Sequence, residues 1–104
     1  MSNLTHGQLD YGVEYPADSG QWHYAWTVRL PTLDDNIRVL ETHGAESNLA
    51  INVAMLARCL ALDGIPAEAM TGELLRHGLD PADYDQLMEA QDALRKKRKR
   101  PSAS

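Results

Sequence analysis

The chain has 104 residues, of which 43% are hydrophobic and 24% charged, and its net charge is −5. This length fits one domain with one modest core, and the apolar content excludes a chain that is disordered throughout. Six of the ten basic residues lie in the run RKKRKR at residues 95–100, so residues 1–94 hold four basic and fifteen acidic residues, a net of −11. Such an acidic body repels phosphate, and we therefore expect nucleic-acid binding only through the basic run.

The chain carries no sequence that predicts export or a membrane span. The N-terminus lacks a basic cluster followed by an apolar run, and the most apolar stretch, residues 49–62, is shorter than the roughly 20 residues that cross a bilayer. A single cysteine, Cys59, cannot form an internal disulfide. These features predict a cytoplasmic protein.

Two alternating segments follow a polar N-terminus, residues 1–8, which we expect to be disordered. Residues 9–15 and 22–30 alternate apolar and polar side chains, as strands with one solvent-exposed face do. The turn-forming residues 16–20 separate them. We therefore expect a β-hairpin whose inner face is aromatic: Tyr11, Tyr15, Trp22, Tyr24 and Trp26.

The remainder of the chain is predicted to be helical. Thr32 is placed to cap a first helix with Asp35 three residues on, and its apolar stripe is formed by Leu33, Ile37 and Leu40. A second helix is expected to run from a cap at Ser47 to about residue 63, and a short third segment over residues 67–77.

The last helix has the clearest start, with Asp80 as cap and Pro81 at the first helical position. We assign Asp83, like Asp34 and Asp35, to the first helical turn, where the helix dipole favours carboxylates. The predicted architecture is one α+β domain at residues 9–94, an N-terminal antiparallel β-hairpin packed on three to four α-helices, followed by a basic disordered tail at residues 95–104.

The second helix is more apolar than a surface helix requires, because twelve of the fourteen residues at 49–62 are apolar. Enclosure by its own neighbours, self-association and binding of a different protein all remain open explanations. We assign one stripe to the core (Leu49, Val53, Leu56, Leu60) and predict protein binding through the face formed by Ile51, Met55, Arg58 and Leu62.

No pattern in the sequence indicates catalysis or a cofactor. The four histidines are scattered without metal-ligand spacing, and Cys59 lies in an apolar helix, where a thiol usually packs inertly. The glycines are isolated and form no phosphate-binding loop. We therefore predict no catalytic residues, no metal ligands, no cofactor and no enzymatic activity.

The order of these elements resembles the phage tail assembly chaperones of Mu-like and related contractile-tailed phages. The resemblance covers roughly residues 9–94 and depends on the strand-to-helix junction RLPTLDD at residues 29–35, the apolar helix at 49–62 and the helix start GLDPADYDQL at 78–87. It implies a protein that binds the long, helical tape measure protein and keeps it soluble during tail assembly, and that is not expected in the mature virion. The alternative is a small DNA-associated regulatory protein that uses the basic C-terminal tail.

Overall fold

The structure of the chain is a computed structural model, and it describes residues 3–101. Within these residues the elements are strands β1 (Leu4–Glu14) and β2 (Trp22–Arg29), helices α1 (Leu33–His43) and α2 (Asn48–Cys59), strand β3 (Leu60–Leu62), a 3-10 turn (Ala67–Ala69), and helices α3 (Gly72–Gly78) and α4 (Pro81–Arg98). The predicted α+β class, with an N-terminal antiparallel hairpin and four helices, is confirmed.

The sheet has three antiparallel strands in the order β1-β2-β3. The third strand was not predicted, because residues 60–62 were assigned to the second helix. That helix ends at Cys59, and Leu60 and Leu62 then pair with Val28 and Trp26 and are buried. A three-residue strand has too short an alternation to be recognised, and the edge of β2 decides its conformation.

Regular structure extends beyond both predicted ends of the domain. Residues 4–8, predicted to be disordered, belong to β1 and pair with β2 from Leu4 opposite Arg29 to Gln8 opposite Ala25. Residues 95–98 of the predicted disordered tail form the last turn of α4, where cationic side chains interact favourably with the helix dipole. Residues 1–2 and 102–104 of these predicted ends lie outside the described part of the chain.

The hairpin contains a long β-bulge in β1, with four residues opposite one. Gln8 lies opposite Ala25 and Val13 opposite His23, so the four residues 9–12 face Tyr24 alone. Extra residues of this kind cannot all form ladder hydrogen bonds with the neighbouring strand, and their backbone groups need other partners.

Asp83 of α4 supplies those partners. Its fully buried carboxylate accepts hydrogen bonds from the backbone N–H groups of Asp10, Tyr11 and Gly12 at 2.9, 3.0 and 3.0 Å. The side chain predicted to serve the helix start therefore joins α4 to the hairpin, and the cap is Asp80, which accepts from the Ala82 N–H at 2.8 Å.

The core lies between the sheet and the helices and is mostly aliphatic. Of the aromatic residues assigned to the inner hairpin face, Trp26 is buried and Tyr15 packs partly against the core. The other three, Tyr11, Trp22 and Tyr24, are exposed, so the prediction of an aromatic inner face is wrong for them. Leu9, Val13 and Val28, which the alternation puts on the same face, are buried, and the bulge interrupts the alternation at Tyr11.

Replacing Asp83 by Asn should lower the free energy of unfolding by about 2–4 kcal/mol, since the amide loses the charge and one of the two acceptor oxygens that hold three N–H groups. Urea unfolding of the purified variant measures the change. Asp85→Asn makes the same substitution at an exposed position of α4 and should shift the free energy by less than about 0.5 kcal/mol. Equal effects of the two variants would contradict the role given to Asp83.

Candidate protein-binding surface

Helix α1 turns its apolar stripe away from the core. Leu33, Ile37 and Leu40 are 74%, 49% and 46% exposed, while the buried residues of the helix are Asp35 and Val39. An apolar stripe on a helix usually faces the core, whereas this one faces outward. We call the three exposed residues the α1 stripe.

The orientation of α1 is fixed by the carboxylate of Asp35. Thr32 and Asp35 form a capping box, in which the Thr32 N–H donates to Asp35 Oδ2 at 2.7 Å and the Asp35 N–H donates to Thr32 Oγ1 at 3.3 Å. Asp35 lies on the same side of the helix as Val39, four residues later, and this side faces inward. The α1 stripe must then lie on the opposite side.

Two arginines from other elements hold the same carboxylate. Arg29, at the end of β2, donates through both terminal nitrogens at 2.6 and 3.0 Å, and Arg58 of α2 donates through Nε at 2.9 Å. Arg29 also donates to the Arg58 carbonyl, and its own carbonyl accepts from Gln91 of α4. This Asp35 cluster (Arg29, Asp35 and Arg58) links the sheet to three helices.

The cluster lowers the pKa of the Asp35 carboxyl group. The hydrogen bonds from Arg29 hold the pKa of Asp35 well below its usual range, against the opposing effect of burial, and Thr32 and Arg58 lower the pKa further. The charge is therefore retained over the whole neutral range, as an orienting contact between elements requires.

The predicted contact residues do not form one exposed face. Ile51 and Met55 are half-buried, and Leu62 is only 2% exposed because it lies in β3. Arg58 is exposed, but its side chain is held by Asp35. Most of the apolar surface of α2 packs against α1, α3 and the sheet, so enclosure by neighbouring elements accounts for much of its composition.

The residues assigned to the core stripe of α2 also separate. Leu56 and Leu60 are buried and Val53 is half-buried, but Leu49, in the first turn of the helix, is 61% exposed. Large exposed apolar side chains therefore occur on α1 and at the start of α2. The capping box gives no signal for the direction of the α1 stripe, because it joins only Thr32 and Asp35 at the helix start, whereas the direction depends on Arg29 and Arg58 from other elements.

Metal ligands and a reactive cysteine are the other functional groups that this region could hold. Residues 3–101 contain no group of three or more His, Cys, Asp or Glu side chains that could hold a metal ion. Cys59 is buried near the Asp35 cluster, and burial raises the pKa of its thiol. In the described chain no helix combines the length and apolar character that a membrane span requires.

Comparison with known proteins gives no relative: no family model matches the chain, and neither a curated protein nor a solved structure matches it. The resemblance to tail assembly chaperones therefore depends on the sequence patterns described above.

Asp35→Asn should lower the free energy of unfolding by about 2 kcal/mol at pH 7, a value reduced by the partial solvent exposure of both arginines. Because the folded-state pKa is depressed, this stabilisation is fully present above the unfolded carboxyl pKa of about 4 and is lost as the pH falls through the folded pKa. The difference between wild type and variant should therefore shrink below about pH 4. Urea unfolding between neutral and acid pH measures it.

The matched control is Asp34→Asn. Asp34 precedes Asp35 in the chain, and its exposed carboxylate lies 3.5 Å from Arg38. Its effect should stay below about 0.5 kcal/mol at every pH. A difference between Asp35→Asn and wild type that does not change with pH would contradict the assigned ionisation.

Proposed function

We propose that this protein is a phage tail assembly chaperone that binds the tape measure protein and keeps it soluble while the tail assembles. The observation that carries the proposal is the α1 stripe, three large apolar side chains directed outward on a helix whose orientation an internal ion-pair cluster fixes. The resemblance of residues 29–35, 49–62 and 78–87 to the chaperone family supplies the identity of the partner.

An outward apolar stripe fits the binding of another helix. Leu33, Ile37 and Leu40 have the i, i+4, i+7 spacing with which amphipathic helices meet a partner. A long helical protein presents the same spacing repeatedly, and its apolar faces aggregate when they are left in water. Covering each face with a small, strongly acidic domain would remove apolar surface from water and add repulsive charge between neighbouring complexes.

The size of the stripe favours helix binding over a stable homodimer. Three partly exposed side chains offer at most a few hundred Å² of apolar surface, which is less than the roughly 800 Å² that each partner buries in a standard interface. Many weak contacts along one long partner suit a chaperone that must later be displaced. Self-association remains an alternative, and sedimentation of the free protein tests it.

The test is co-expression with a tape measure protein, the proposed helical partner, with soluble complex as the measured quantity. The double variant Leu33→Ser, Ile37→Ser should reduce the soluble complex by about tenfold or more, because two desolvated leucine-sized contacts are worth roughly 1.5–3 kcal/mol each. Both positions are exposed, so the variant should retain its unfolding transition.

Tyr11→Ser is the matched control, since it removes an exposed side chain of similar size from the hairpin. The pair Ile51→Ser and Met55→Ser distinguishes the originally predicted face from the α1 stripe. If the α1 double variant solubilises the helical protein as well as wild type does, the proposed surface is wrong. If wild type also fails to solubilise it, the chaperone function is wrong.

The DNA-associated alternative is favoured by one observation, the exposed cationic last turn of α4, where Arg95, Lys96, Lys97 and Arg98 are all accessible. Replacing three cations of this turn, with Lys96→Gln, Lys97→Gln and Arg98→Gln, should weaken any binding of duplex DNA in that function. In the chaperone function the same variant should leave the solubility of the tape measure protein unchanged.

A further inference from the structure

Three overlapping clefts form a groove along α2, on a different part of the surface from the α1 stripe. Their volumes are about 200, 430 and 140 Å³. The first shares Ala57, Arg58 and Met70 with the second, and His43, Ala54 and Gly72 with the third. We call this continuous depression, bounded by α1 on one side and by Met70 and α3 on the other, the α2 groove.

The floor of the groove is built from small side chains. Ala50, Ala54 and Ala57 follow one another at helical spacing on α2, Ala61 lies in β3, and each of the four lines at least one of the three clefts. Gly72 brings α3 close to this floor, since a Cβ at Gly72 would lie 3.5 Å from the Ala54 Cα. Larger side chains at these positions would fill the space, so the alanines leave room for a polypeptide segment.

The three clefts are lined by three arginines and two glutamates, Glu46 and Glu73, so their walls carry an excess of positive charge. Residues 1–94 contain four arginines, and three of them (Arg38, Arg58 and Arg76) line the α2 groove. His43 lines it as well. Since the same residues 1–94 have a net charge of −11, this concentration of cationic groups selects an anionic partner at one place on an otherwise acidic surface.

The Arg58 side chain is positioned to bind such a partner. Its Nε donates to Asp35 at 2.9 Å, which fixes the plane of the guanidinium, and the side chain lines two of the clefts. Within residues 3–101 its two terminal nitrogens donate to no protein acceptor. The Asp35 carboxylate is shared by two arginines, so the Asp35 cluster retains one net positive charge. A fixed arginine with free terminal nitrogens is suited to a carboxylate.

We propose that the α2 groove binds an acidic segment of a partner protein. One carboxylate of the segment bonds the terminal nitrogens of Arg58, a neighbouring carboxylate interacts with Arg38, and small apolar side chains of the segment lie on Ala54 and Ala57. The proposal adds a second docking site to the protein and does not depend on the α1 stripe.

The groove suits separate carboxylates better than a chain of phosphates. At one end Glu46 and Glu73 lie 3.3 and 3.7 Å from Arg76, and at the α1 wall Asp34 lies 3.5 Å from Arg38. These fixed negative charges would repel a polyphosphate backbone that passed along the groove. An acidic peptide can place its carboxylates at Arg58 and Arg38 and neutral side chains elsewhere.

The test measures binding of a short fluorescein-labelled peptide of alanine, leucine and glutamate, by fluorescence anisotropy with the full chain at low salt. The control peptide, in which every glutamate is replaced by glutamine, should bind at least roughly tenfold more weakly, because it lacks the charge-assisted hydrogen bonds. Arg58→Gln and Arg38→Gln should each weaken binding of the glutamate peptide by roughly fivefold or more.

Arg95→Gln is the matched control, because it removes an arginine outside the groove, and it should bind the peptide as wild type does. Arg38 makes only one exposed ion pair, so Arg38→Gln tests the groove even if Arg58→Gln is unstable. Equal binding of the two peptides, or wild-type binding by Arg38→Gln, would overturn the proposal. So would a duplex oligonucleotide that binds wild type more tightly than the peptide and loses affinity with Arg38→Gln.

The two docking surfaces can be tested separately. Leu33→Ser, Ile37→Ser should leave affinity for the glutamate peptide unchanged, while Arg38→Gln should leave solubilisation of the tape measure protein unchanged. A groove that binds no acidic peptide would therefore leave the chaperone proposal standing, and loss of the chaperone function would leave the groove proposal standing.

Discussion

The carboxylate of Asp35 determines how the surface of this protein is arranged. It is buried, it caps α1 with Thr32, and it accepts hydrogen bonds from arginines of β2 and α2. A buried charge is tolerated only when its oxygens are satisfied in this way, so the rotation of α1 about its axis has little freedom. That rotation directs Leu33, Ile37 and Leu40 outward, and the same contact fixes Arg58 at the α2 groove. Both proposed docking surfaces therefore depend on one side chain.

A second carboxylate, at the start of α4, has a comparable role. Asp83 binds three consecutive backbone N–H groups of the β1 bulge and joins α4 to the hairpin. In this small domain, polar contacts between distant segments supplement a limited apolar core. Such contacts specify geometry more sharply than hydrophobic burial does, because a hydrogen bond requires both a distance and a direction, whereas apolar contact requires only proximity.

The surface combines apolar, cationic and strongly acidic areas. An apolar helix face, an arginine-lined groove and a cationic helix end are set on a body with a net charge of −11 in residues 1–94. Apolar docking areas promote aggregation, and the surrounding negative charge opposes it by repulsion between molecules. This distribution of charge and apolar surface supports the proposed role of holding an aggregation-prone partner in solution.

The sequence by itself determined the α+β class, the hairpin, and the caps of α1, α2 and α4 at Thr32, Ser47 and Asp80. These features follow from local periodicity and capping chemistry, which involve residues a few positions apart. Only the tertiary structure decided strand β3, the bulge held by Asp83 and the outward direction of the α1 stripe, because each depends on partners 23 to 73 residues away in the chain. A periodic pattern shows that a helix has an apolar side. Whether that side faces the core depends on the polar contacts formed by the other side.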